Sequence, residues 1–174
     1  MFEKKYKVLF LDLDGTIIET LSGKTFPQGI WDMKWKNGIF DAIKSLNPDA
    51  LSIVSNQGGI EKSIVKENDF VTKIEYVACC LRAYNNIPCD YNYCASNDVS
   101  NKLRKPNTGM LERSIYFLQS NFCFSFGIIS PSDCLMVGDA SGLEGQFSDS
   151  DKKTAENFGC DYMDVNEFIK KYSV

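Results

Sequence analysis

Short apolar runs recur along the chain at residues 7–13, 50–54, 91–95 and 133–137, with a weaker one at 161–164. Runs of this length between turn-forming residues read as buried strands. Helical spacing fills the gaps. Residues 39–46 predict a short helix. Phe70, Ile74, Val77 and Leu81 recur at intervals of four, three and four, which lines one helix face, and Leu111, Ile115, Leu118 and Phe122 form a second such stripe. Residues 151–158 predict a helix closed by Gly159 as C-cap, and a last helix starts after the N-cap Asp164 and runs through Phe168. Alternation of strand and helix predicts an α/β protein with a central parallel sheet covered on both faces. A chain of 174 residues can bury one sizeable core, and no repeat, linker or low-complexity tract divides it, so one domain over 1–174 is expected.

Composition narrows the class more than it describes it. Hydrophobic content of 44% and charged content of 24% suit a soluble globular protein. No apolar stretch reaches the length of a membrane span and no signal sequence opens the chain, so the expected location is intracellular, in cytoplasm or nucleus, with no membrane partner. Seven cysteines without a C-x-x-C pair read as buried thiols in a reducing compartment, and Cys89 with Cys94 lacks the second pair a metal clip needs. The chain has no histidine, which excludes Ser-His-Asp and Cys-His catalysis and histidine-ligated zinc. Acid–base work falls to carboxylate, lysine, tyrosine or cysteine, and a hard metal would need oxygen ligands, favouring magnesium. The net charge of −4, from 19 basic and 23 acidic residues, argues against a broad nucleic-acid-coating surface but leaves room for a local basic groove.

Each predicted strand ends in chemistry. The first delivers Asp12 and Asp14, followed by Gly15 and Thr16; the second ends in Ser55-Asn56-Gln57-Gly58-Gly59. The loop after the third carries Lys102, Arg104 and Lys105, and the fourth ends in Gly138-Asp139. In a parallel sheet these ends share one edge, where open α/β sheets bind ligands. Asp12 and Asp14 face one side if strand geometry persists to Asp14, and they repel unless a cation, a proton or a substrate group compensates. Carboxylates, small hydroxyl and amide donors and a lysine converging on one edge describe a magnesium-dependent phosphate site.

These motifs resemble, in order, those of the haloacid dehalogenase (HAD) superfamily: DLDGT first, Ser55 second, Lys105 third and VGDAS fourth. The strings DLDGTIIETLSGKTFP, VSNQGGI, RKPNTGM, and VGDASG followed by FSDSDKKTAENFG are similar to the polynucleotide 3′-phosphatase branch of polynucleotide kinase/phosphatase repair enzymes. The resemblance implies a Rossmann-like three-layer α/β/α fold and a phosphoric monoester hydrolase that clears 3′-phosphate ends, of DNA ahead of RNA, in strand-break repair. A separate kinase or ligase would be a partner protein.

By the same resemblance Asp12 is the nucleophile that becomes an aspartyl phosphate, and Asp14 the acid and base. Mg2+ is held by Asp12, Asp14 (through its carbonyl) and Asp139. Ser55 and Lys105 complete the catalytic set, and Thr16, Asn56, Gln57 and Gly58 bind substrate. Asp151 ligates through water or holds Lys105; capping the helix that begins there is an equal reading. Ser22-Gly23-Lys24-Thr25 looks like the end of a P-loop, but Ile18 stands where the leading glycine belongs, so the string fits a flap after the first strand. Lys24 and Arg104 are candidate phosphate contacts at the rim. Trp31 and Trp35 near the flap would be hydrophobic cover or, secondarily, base-stacking platforms. The intervals from Asp12 to Ser55 and from Ser55 to Lys105 leave no room for a substantial cap domain, and an uncovered site admits a polymer end. Two other readings stand beside this one: a capless phosphatase of a small sugar or histidinol-type phosphate, and an inactive module that binds phosphorylated ends.

Overall fold

The computed structural model describes residues 4–24, 27–146 and 148–173, with the backbone alone for 123–126. Thr25 and Phe26 of the SGKTFP string, and Phe147 of FSDSD, lie outside the described residues. Strand β1 (Val8–Leu11) is buried at every position because it runs through the middle of the sheet. β4 (Ala50–Asn56) and β6 (Cys134–Gly138) flank it, with β5 (Cys89–Cys94) and β7 (Asp161–Asp164) at the edges, all in parallel register.

The period of two along β1 sorts the layers. Leu9 and Leu11 enter a core with Ile39 and Ile43 of α1 (Ile39–Leu46), the stripe from Phe70 to Leu81 of α3 (Glu67–Asn85), and Phe168 of α6 (Val165–Tyr172). Val8 and Phe10 pack the other way, against Met110, Leu111 and Leu118 of α4 (Gly109–Phe126) and Ala155 of α5 (Ser150–Phe158). This is the three-layer α/β/α arrangement. The predicted caps hold: Gly159 closes α5 in the left-handed region, and the Asp164 carboxylate accepts the Asn166 N–H at 2.9 Å. α4 carries a kink at Phe122, where φ is −132°.

Three elements lack a sequence signal. β2 (Ile18–Glu19) and β3 (Lys34–Trp35) pair antiparallel as the base of the flap, and α2 (Gly58–Glu61) is a single turn. Strands of two residues are too short to show alternation. Trp35 packs edge-on against Phe40, and Trp31 against Tyr76, so the flap is tied to α1 and α3 by the two tryptophans serving as cover. Among the described residues nothing beyond this flap, α1, α2 and α3 is inserted before β5, so no cap domain lies over the carboxyl edge. No described helix is long and apolar enough to cross a membrane.

Candidate active site

β1 ends one residue before the first carboxylate, and Asp12 is still in register: its N–H donates to the Val137 carbonyl at 3.0 Å. It therefore keeps the parity of Val8 and Phe10 and enters the layer covered by α4 and α5. Lys105, in the loop before α4, brings Nζ to 2.5 Å from Asp12 Oδ1 and 2.7 Å from Asp151 Oδ1. The second Asp151 oxygen accepts the Ala140 N–H at 3.1 Å. Lys105 is located by its own backbone, whose N–H donates to Asn56 Oδ1 (2.9 Å) and whose carbonyl accepts from Asn56 Nδ2 (3.0 Å).

Asp14 departs from this geometry. Strand geometry does not persist to Asp14, so the expectation that both carboxylates face one way is corrected. Beyond Asp12 the chain leaves the sheet, turns at Gly15 with φ +84°, and hydrogen-bonds to itself at Ile18. The Asp14 side chain is half exposed; Oδ2 accepts Gln57 Nε2 at 2.7 Å, and Oδ1 lies 3.7 Å from Nζ of Lys73, which comes from α3 in the opposite layer. Asp14 lines a cleft of about 870 Å³ together with Asp139, Gln57, Gly58, Lys24 and Arg104.

Two glycines let the acids approach. A Cβ at Gly15 would stand 2.0 Å from Asp139 Oδ2, and one at Gly138 would stand 2.1 Å from Asp151 Oδ2. Asp12, Asp139 and Asp151 each place one carboxylate oxygen within 4.8 Å of the others, beside the buried Lys105 ammonium. Burial opposes the Lys105 charge, but Asp12 and Asp151 outweigh it and hold the lysine protonated. Burial pushes the Asp12 carboxyl well above its usual range, Lys105 pulls it down, and Asp151 and Asp139 push it back up. Asp139 is raised to about 6, by burial and then by Asp151. An all-oxygen donor set with surplus negative charge fits a hard divalent cation.

The other expected residues fall into place unevenly. The buried Ser55 hydroxyl accepts a second Gln57 Nε2 hydrogen at 2.9 Å, so Gln57 spans Ser55 and Asp14. Asn56 lines the cleft, yet its amide is spent on the Lys105 backbone. Lys24 donates to Gln28 and Arg104 to the Ser96 carbonyl. Thr16 is fully buried and does not line the cleft, its hydroxyl without a hydrogen-bond partner among the described residues. Lys73 was not foreseen. Its signal was a lysine at a buried position of α3's apolar stripe, three residues after Phe70 and four before Val77.

A parallel sheet whose carboxyl edge gathers Asp12, Asp139 and Asp151 beside a buried lysine places the chain in the HAD-like fold class. D,D-heptose 1,7-bisphosphate phosphatase of B. bronchiseptica, solved with magnesium and phosphate, shares the fold with a TM-score of 0.66 and 18% identity, over 90% of this chain and 78% of its own. Within that class the chain belongs to the polynucleotide kinase 3 phosphatase family, whose model matches residues 7–169. It is 31% identical over 174 residues (98% of the chain) to the bifunctional polynucleotide phosphatase/kinase of Schizosaccharomyces pombe. It is 26% identical over 165 residues (92%) to the histidine biosynthesis bifunctional protein HisB of Legionella pneumophila. The chain spans 39% of the length of the first relative and 42% of the second.

Proposed function

We propose that this chain is a magnesium-dependent polynucleotide 3′-phosphatase that clears 3′-phosphate ends of DNA, and secondarily of RNA, in strand-break repair. The observation that carries the reading is the buried Asp12–Lys105 pair, beside a cleft that Asp14 lines and over which the described residues place no cap domain. In the reaction an Asp12 oxygen forms a bond to phosphorus as the bond to the 3′ oxygen breaks. That oxygen keeps the electron pair and takes a proton from Asp14. Water then attacks phosphorus, its proton passes to Asp14, and the Asp12–phosphate bond opens to return the carboxylate.

Ser55 and neighbouring backbone N–H groups are assigned to the phosphate oxygens, and Lys105 offsets their charge. Both Asp151 oxygens already have protein partners, which supports its role as holder of Lys105. Asp12 and Asp139 by side chain and Asp14 by carbonyl would hold magnesium, with Asp151 alongside; the ion would neutralise phosphate charge. The S. pombe relative is a bifunctional polynucleotide phosphatase/kinase, so a kinase or ligase is assigned as a partner at the same ends.

The test offers matched 3′- and 5′-phosphorylated oligonucleotides with and without magnesium. Release from the 3′ substrate alone, dependent on magnesium and lost in Asp12→Asn, is expected; equal and negligible release from both overturns the reading. The likeness to HisB favours a second reading, hydrolysis of a small sugar or histidinol-type phosphate. A higher kcat/KM on such a compound than on the oligonucleotide would select it.

A further inference from the structure

Among the described residues the buried lysines are Lys105 and Lys73. Lys105 belongs to the nucleophile; Lys73 has no part in the chemistry so far. An ammonium withdrawn from water is costly unless another group compensates it. At this position of α3 a leucine or methionine would simply extend the stripe of Phe70, Ile74 and Val77. Lys73 instead lays its chain beside Phe70, with Nζ 5.7 Å from the ring centroid, and aims the ammonium at Asp14 Oδ1, 3.7 Å away. Gln57 holds the opposite oxygen at 2.7 Å.

We propose that Lys73 is a positioning residue for Asp14, acting with Gln57 to fix the carboxylate from both sides. The inference rests on the phosphatase reading above. A half-exposed aspartate on a turn is free to exchange rotamers, and proton donation to a leaving oxygen requires one of them. Gln57 comes from the loop after β4 and Lys73 from α3, so two elements converge on one side chain. Gln57 also reaches Ser55, which ties the donor's orientation to the residue assigned to the phosphate.

The substitution Lys73→Met keeps length and removes charge, so thermal stability should be retained. With a 3′-phosphorylated oligonucleotide kcat should fall about 10- to 100-fold while KM stays within about twofold, the scale of a misplaced catalytic group. Lys73→Arg should restore part of the loss. With p-nitrophenyl phosphate the single-turnover burst should keep the parent rate, because p-nitrophenolate departs without a proton. In an Asp14→Asn background Lys73→Met should add no further loss. Equal loss on both substrates, an unchanged kcat, or a rise in KM alone overturns the inference, the last making Lys73 a strand contact. Lys73→Gln carries the same comparison if the methionine variant does not fold. A parent inactive on the oligonucleotide but active on sugar phosphates overturns the substrate reading only, and the Lys73 comparison is then read on that alkoxide leaving group. A parent inactive on every phosphate overturns both.

Discussion

Asp139 shows how the surplus charge is held. Its carboxyl, raised to about 6 by burial and by Asp151, is largely ionised at neutral pH and largely protonated at pH 5. A folded-state value above the unfolded one means the ionised group costs stability, a cost that grows as pH rises from about 4 through 6. A divalent cation held there, as proposed, would bind the ionised form and remove that cost. MgCl2 at about 100 times its Kd should therefore stabilise the fold by about 2.7 kcal/mol at pH 7.5, with the gain shrinking as pH falls through 6. Thermal unfolding with and without MgCl2 at several pH values measures this, and Asp139→Asn should flatten the dependence. Asp12, Ser55 and Asp139 could be singled out because each stands in a short motif at a strand end, and Lys105 because it stands in a short motif of the loop after β5. Lys73 was not, since its partner comes from a distant part of the chain and nothing local marks it. Thr16, expected to bind substrate because it follows DLDG directly, is carried into the interior by the turn at Gly15.

Asp164 links two elements to the site. It ends β7, caps α6 through Asn166, and accepts Ser141 Oγ at 2.6 Å and Gln146 Nε2 at 2.8 Å from the loop that carries Asp139. Burial pushes its carboxyl up, but these donors outweigh burial and hold it below its usual value. The stability they confer is thus present above pH 4 and lost as pH falls below it. Asp164→Ala should lower the unfolding free energy by about 2–3 kcal/mol at pH 7, one cap plus charged hydrogen bonds, and the gap to the parent should close below pH 4 in urea titrations. The cap itself was visible in the sequence, as were all five strands of the sheet and the longer helices, because apolar period and capping residues agree there. The flap ribbon was not: two residue pairs, Ile18 with Trp35 and Glu19 with Lys34, are fixed by tertiary packing of the tryptophans rather than by local pattern.

For the whole molecule, the proposed function asks an acidic chain to grip an anionic polymer through a small basic rim. Lys24, Lys34, Lys62 and Arg104 line the cleft, and Lys34 already lies 3.6 Å from Glu19. Two or three phosphate contacts would give a log Kd against log salt slope of magnitude about 1.4 to 2.1 for a single strand. Fluorescence anisotropy of a 3′-phosphorylated oligonucleotide on the Asp12→Asn protein across a NaCl series checks it; a slope several times steeper would reveal a longer track. The sheet order has a consequence in biosynthesis. β1 lies between β4 and β6, so Asp12 is translated before Asp139 and Asp151, which come from later parts of the chain. A growing or truncated polypeptide displays Asp12 without the residues that complete its charge cluster. On the proposed function, turnover would thus report that β6 and α5 have docked beside β1, which would make activity a readout of assembly of the sheet.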